Sequence, residues 1–164
     1  MLNADLRFYN HPFGKLHIAV HEERIVAVSF APIERSWLNA LVLEPGTKFF
    51  NGSLSDLPRQ MDTFFSGLDP HFNLKITLHG TPFETAVWKA CMNIPYGKTS
   101  TYAAIAEEIG SPNAVRAVGT ALSANPIPII VPCHRVVRTD GSLGGFRGGL
   151  KLKQQLLDME KGIE

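Results

Sequence analysis

Cysteine is scarce in this chain: Cys91 and Cys133 are the only two among 164 residues. Two thiols cannot form the disulfide framework of a small secreted domain, nor a thiolate zinc site by themselves. The six histidines (His11, His17, His21, His71, His79 and His134) have no HExxH-like or CxxC-like spacing, so neither a metal nor another cofactor is predicted. Nowhere do roughly 18 apolar residues run together, as a membrane span requires. Residues 1–10 lack a basic region followed by a hydrophobic run. The expectation is a soluble, cytoplasmic protein without a membrane partner. Excess charge is also missing, the net value being +1, so a nucleic-acid surface would have to come from local clustering of basic residues. The glycine-rich stretch Gly144-Gly145-Phe146-Arg147-Gly148-Gly149 has neither P-loop nor dinucleotide spacing, which excludes a phosphate cradle of those kinds.

What is present supports a packed core: 45% of the residues are hydrophobic and 19% charged. Residues 6–31 read as a β-meander. Leu16, Ile18 and Val20 alternate on one face, Glu22-Glu23 forms a turn, and residues 24–30 repeat the pattern. His17 and His21 fall on the opposite face as solvated strand residues. Residues 36–43 suggest a short helix with Trp37, Leu38 and Leu41 inward. Residues 55–67 suggest a better one, capped by Ser55 and ended by Gly67. Residues 74–78 alternate again and can close the sheet. Thr81-Pro82 with Glu84 opens a third helix by a capping box, at the expected domain boundary. Helices at 101–109 and 112–123, broken at Gly110, form a helix–turn–helix pattern. A last helix covers 150–161, with Leu152, Leu156, Leu157 and Glu160 inward. The predicted architecture is an α/β N-terminal domain over 1–79, a small antiparallel sheet plus helix. A mostly α, winged-helix-like domain over 80–164 follows, carrying the helix–turn–helix.

The chemistry concentrates at Pro132-Cys133-His134-Arg135, within an apolar run from Ile127 to Val137. Such a run predicts a buried strand or extended segment, stiffened by its prolines. A lone cysteine there is most simply a core residue. The adjoining His134 and Arg135 argue instead for a reactive thiol, because nearby positive charge favours the thiolate. Neighbouring side chains on an extended segment point to opposite faces, so His134 is expected to reach Cys133 only through a water. Glu160, in line with leucines, is costly to bury without a partner, and His134 or Arg135 can supply one. The second helix of the helix–turn–helix carries small residues (Ala114, Ala117, Gly119, Ala121) and one charge, Arg116. Small residues admit close approach to the helix backbone, and tight helix packing with a solvated Arg116 is the plain alternative.

These residues resemble the O6-alkylguanine-DNA alkyltransferase family, the methylated-DNA–protein-cysteine methyltransferases. The resemblance runs through Ile94-Pro95-Tyr96-Gly97, Thr101-Tyr102, 114–119, Asn125-Pro126, Pro132-Cys133-His134-Arg135-Val136-Val137, Gly148-Gly149, Leu156-Leu157 and Glu160. It covers most of 82–161, and the N-terminal half resembles the family only loosely. It implies that a monomer binds duplex DNA in the minor groove, flips out O6-alkylguanine (with O4-alkylthymine as a further substrate) and transfers the alkyl group once, irreversibly, to Cys133. Glu160 would orient His134 as a water-mediated base. Tyr102 would donate a proton and turn the target phosphate, and Asn125 would position the active-site turn. Arg116 would be the finger that fills the vacated stack. Tyr102, Ala114, Ala117, Gly119, Ser123 and Arg135 would also touch DNA. Val131, Val136, Phe146, Arg147 and Gly148 would form the substrate pocket. The chain departs from many members at Phe146, where they carry tyrosine, and at Arg147, where they carry a small residue. Two rivals remain on the residues alone: a thiol hydrolase using Cys133 and His134, and a lesion-binding protein whose thiol is inert.

Overall fold

The computed structural model describes residues 3–162, and the chain divides into two compact units, Met1–Thr81 and Pro82–Glu164. The first unit opens with β1 (Asp5–His11), β2 (Gly14–His21) and β3 (Arg24–Ser29), paired antiparallel in succession. Glu22 and Glu23 both take left-handed backbone angles, φ 48° and 59°. This primed turn matches the twist of the two strands it joins. Ala19, Val26, Ala27 and Leu38 pack in one buried cluster. The last of these comes from α1 (Arg35–Val42), whose Trp37 and Leu41 lie against the same cluster. In α2 (Leu57–Phe65), Met61 and Phe64 are fully buried.

The sheet departs from the antiparallel expectation. β4 (Gly46–Phe49) lies within a stretch whose sequence shows little pattern, and the order is β1-β2-β3-β5-β4, with β5 being Ile76–His79. β5 runs parallel to β3 and antiparallel to β4, so the sheet is mixed. β4 is an exposed edge strand, and an edge buries no face that would impose alternation. The parallel contact is a single pairing, Ile25↔Ile76. Arg24 reinforces it by donating from Nε to Ile76 O (3.1 Å) and from Nη2 to Phe49 O (2.6 Å). Ser53 rather than Ser55 caps the turn before α2, its Oγ accepting from Ser55 N at 3.2 Å.

The second unit contains α3 (Pro82–Met92), α4 (Tyr102–Glu108), α5 (Val115–Ser123) and α6 (Leu150–Lys161), with a two-stranded parallel ladder of β6 (Ser100–Thr101) and β7 (Val136–Val137). Thr101 Oγ1 accepts from Ala104 N and starts α4, while Gly110 in the left-handed region (φ 76°) ends that turn. α5 begins at Val115, three residues later than its pattern suggests, because Pro112 and Asn113 form a turn before it. Trp88 on α3 donates its indole N–H to Ala121 O on α5 at 2.8 Å and joins those helices across the core.

Candidate active site

The segment holding Cys133 is not extended. Cys133–Arg135 is one 3-10 turn, entered through Ile129 in the left-handed region at φ 76°. A β-branched residue there is strained, and such strain persists only where the surroundings enforce it. Three prolines, Pro126, Pro128 and Pro132, restrict the chain on either side. Asn125 closes the bend: its Oδ1 accepts from Ile127 N and its Nδ2 donates to Val131 O, both at 2.9 Å. The bend leaves the Cys133 side chain partly exposed while His134 is fully buried. Adjacent residues therefore face different surroundings, as expected, but a tight turn separates them and not a pleat.

Behind the turn, α6 brings Glu160 to the interior. Its carboxylate lies 2.7 Å from His134 Nε2, accepts from Arg135 Nε and Nη2 at 2.9 Å each, and accepts from Gly97 N at 3.2 Å. Burial by itself would raise the Glu160 pKa, but hydrogen bonds from His134 and Arg135 outweigh it and hold the carboxyl at about 2. His134 is pushed the other way. Burial lowers its pKa, and Glu160 only partly restores it. A neutral imidazole that donates its Nε2–H in a hydrogen bond to a carboxylate carries its lone pair on Nδ1 and can accept a proton there. Cys133 is held as the thiol at rest, since burial raises its pKa against the opposing pull of the Asn125 side chain, Lys153 and Arg147. A base is therefore needed to make the nucleophile.

In front of the sulfur lies a cavity of about 740 Å³ whose lining includes Cys133, Tyr102, Arg116, Gly119, Ser123, Asn125, Phe146 and Arg147. Two expected groups thus converge, the catalytic side chains Cys133, Tyr102 and Asn125 and the helix-α5 residues. Tyr102 keeps its proton firmly, because burial raises its pKa more than a Gly145 backbone hydrogen bond lowers it. Gly144, at φ 69°, lies against that ring. A Cβ there would overlap the Tyr102 hydroxyl and stand 2.9 Å from Cε2, so only glycine permits this approach.

Other expected residues lie elsewhere. Val131, Val136 and Gly148 do not line the cavity. Val131 and Val136 are buried, and their carbonyls accept from Asn125 Nδ2 and from Lys153 Nζ. Ala114 and Ala117 stand outside the cavity too, Ala114 just before α5 and Ala117 exposed in its first turn. Arg135, expected at DNA, is corrected: its guanidinium is buried, paired with Glu160, and donates from Nη1 to Ile94 O at 2.9 Å. A cation so engaged serves the interior.

The residue that the sequence reading missed is Lys153. It is fully buried on α6, and its ammonium donates to the carbonyls of Val136 (2.7 Å), Leu143 and Gly145 (3.2 Å). These bonds tie β7 to the glycine-rich loop, with the ammonium 6.0 Å from the centre of the Tyr102 ring. Burial lowers its pKa to about 8. A signal was available, because Lys153, Leu156, Leu157 and Glu160 share one helical stripe. Leu152, expected inward, is only half-buried.

A thiol at a cavity wall, backed by a buried imidazole–carboxylate pair and faced by a protonated phenol, has the parts of a protein that takes a group onto cysteine. The comparisons give the family. Residues 82–162 match the family model for the 6-O-methylguanine DNA methyltransferase DNA-binding domain. The methylated-DNA–protein-cysteine methyltransferase of Mycobacterium leprae is 40% identical over 94% of this chain and 91% of its own. That of Methanosarcina barkeri is 40% identical over 92% of each. The crystal structure of Mycobacterium tuberculosis O6-methylguanine methyltransferase superposes with a TM-score of 0.81 at 37% identity, over 98% of this chain and 94% of that one. The same organism's protein solved in complex with DNA gives 0.80 at 36% identity, over 96% and 92%. The chain belongs to the methylated-DNA–protein-cysteine methyltransferase family.

Proposed function

We propose that this protein repairs DNA by direct damage reversal, moving the alkyl group of O6-alkylguanine onto Cys133. The observation that carries this reading is the placement of Cys133 on the cavity wall with His134 and Glu160 buried behind it. His134 takes the thiol proton through a water, and Glu160 stabilises the imidazolium that results. The thiolate then attacks the O6-alkyl carbon. The carbon–oxygen bond breaks as the carbon–sulfur bond forms, and the departing guanine regains a proton, with Tyr102 as the donor in reach of the cavity. Asn125 and Lys153 hold the turn and the loop that frame the sulfur. The thioether has no leaving group as good as guanine, so each molecule acts once.

DNA is engaged by the Pro82–Glu164 unit, with α4 and α5 acting as the helix–turn–helix in the minor groove. Ala114, Ala117, Gly119 and Ser123 let the backbone approach. Arg116, exposed in the first turn of α5, occupies the place of the flipped nucleotide. Extrusion costs a few kcal/mol, and less where pairing is already damaged. The reading extends to a monomer working in the cytoplasm, with O4-alkylthymine as a further substrate. No helix among the described residues is long and apolar enough to cross a membrane.

The test is peptide mass spectrometry after mixing the protein with O6-methylguanine duplex DNA. The expected result is one added methylene on the Cys133 peptide, saturating at one per protein and absent in Cys133→Ala, which still binds the lesion. Tight binding without mass gain would indicate a lesion sensor, and neither binding nor gain would refute the reading.

A further inference from the structure

The N-terminal unit leaves one strand edge uncovered. In the five-stranded sheet, β1 and β4 are the two outer strands. β4 is four residues long and carries Lys48, and a short, charged edge resists pairing with another chain. β1 is seven residues long and has no proline. It also carries Leu6 and Phe8, 44% and 64% exposed.

The hairpin decides which backbone groups of β1 are open. His11 pairs with Gly14 across the turn Pro12-Phe13, so these two residues exchange hydrogen bonds. Counting back by twos, Tyr9, Arg7 and Asp5 do the same with Leu16, Ile18 and Val20. The N–H and C=O groups of Leu6, Phe8 and Asn10 therefore point away from β2, towards the open edge. Among the described residues no strand meets them there.

A second copy of β1, antiparallel to the first, can pair with this edge in few symmetric registers, because groups that point outward must face each other. Centred on Asp5 or on Arg7, the pairing sets like charges opposite. Centred on Phe8, it sets Leu6 opposite Asn10. Centred on Leu6, it sets Leu6 opposite Leu6, Ala4 opposite Phe8, and Asp5 opposite Arg7 on both sides of the axis. Apolar residues then meet apolar ones and each of the two charges meets its opposite, which is what cross-strand pairs favour. Arg7 Nε already lies 3.1 Å from Asp5 Oδ2 within one chain, on side chains 45% and 66% exposed. Two such pairs would merge into one cluster of alternating sign.

We propose that the free protein pairs reversibly with a second copy through β1, antiparallel and centred on Leu6, so that the two sheets continue across a two-fold axis. About six backbone hydrogen bonds join the strands, two for each pairing of Leu6 with Leu6 and of Ala4 with Phe8 on either side. A single strand edge is a small surface, so the association is weaker than that of a permanent dimer. Alkyl transfer as read above is the work of one copy and does not depend on this pairing.

The experiment is sedimentation equilibrium of the whole DNA-free protein between about 1 μM and about 1 mM, the span in which a small interface associates. The unmodified protein should pass from monomer to dimer. In Asp5→Arg, and separately in Arg7→Asp, both opposed pairs become like-charged, and the midpoint concentration should rise about tenfold or more. An equal mixture of the two single variants restores opposite charges at both positions of a mixed dimer, and its midpoint should return to within about threefold of the original. Phe8→Lys should also weaken the dimer, since a charge then stands in the apolar part of the edge. An unmodified protein that stays monomeric throughout would overturn the proposal. So would single variants that dimerise as well as the unmodified protein, or a mixture that associates no better than its components.

Discussion

Glu160→Gln removes one negative charge from the interior and alters the shape very little. The structure sets the magnitude. Four donors on His134, Arg135 and Gly97 converge on the carboxylate and hold its pKa at about 2, against an ordinary 4.5. Each factor of ten in proton affinity is about 1.4 kcal/mol, so the charged carboxylate stabilises the folded protein by about 3 kcal/mol at neutral pH. Because the folded pKa lies below the unfolded one, this contribution is complete above about pH 5 and is lost as the pH falls through 4.5 towards 2. Glutamine would leave the Arg135 guanidinium, only 8% exposed, without its counter-ion. A buried charge stripped of its partner costs about 3–5 kcal/mol. Urea unfolding followed through Trp88 in the same unit should show a loss of about that size at neutral pH. The acid dependence of the variant should be shallower than that of the unmodified protein by about 3 kcal/mol between pH 5 and pH 2. Alkyl transfer should slow as well, since the imidazolium loses its carboxylate. A variant with unchanged stability at neutral pH and an unchanged acid slope would refute the reasoning.

Arg116→Ala should slow transfer from O6-methylguanine in duplex DNA far more than transfer from free O6-benzylguanine, which needs no flipping; equal losses in the two assays would show a structural role. Lys153→Met should slow transfer roughly tenfold, the value of one charge-assisted hydrogen bond. The rate of the unmodified protein should decline as the pH rises through about 8, where the ammonium is lost. A rate that climbs steadily past that point, or a fully active Lys153→Met, would count against it. Gly144→Ala should lower stability by about 1–3 kcal/mol, because the position requires a left-handed backbone and touches Tyr102. Thermal unfolding measures this, and an unchanged midpoint would mean that the loop relaxes freely.

Local signals fixed by spacing were legible in the chain. The β-meander was readable because its aliphatics alternate, the end of α4 because Gly110 breaks it, and the inward Glu160 because it shares a stripe with leucines. The candidate residues were legible too, since the motif around Cys133 is dense and carries the family resemblance. What escaped depended on partners distant in the chain. β4 is an exposed edge without a buried face to impose a pattern. The parallel pairing of β3 with β5 rests on one contact between segments about fifty residues apart. The proline-rich run has the composition of a strand, yet Asn125 folds it into a bend through two hydrogen bonds. Composition alone cannot distinguish those outcomes.

The same division holds at the site. The sequence by itself set a thiol beside an imidazole and turned the Glu160 carboxylate inward, because motif and helical stripe are short-range properties, whereas the pairing of that carboxylate with His134, 26 residues away, is a tertiary contact. The tertiary structure decided which charges are spent inside. Arg135, which the family resemblance places at DNA, is buried against Glu160, the pairing that the helical stripe allowed, and Lys153, on which the sequence reading is silent, is buried under three carbonyls. Charged residues enter an interior only when several partners from separate segments meet them at once, and that meeting exists only after the chain has folded.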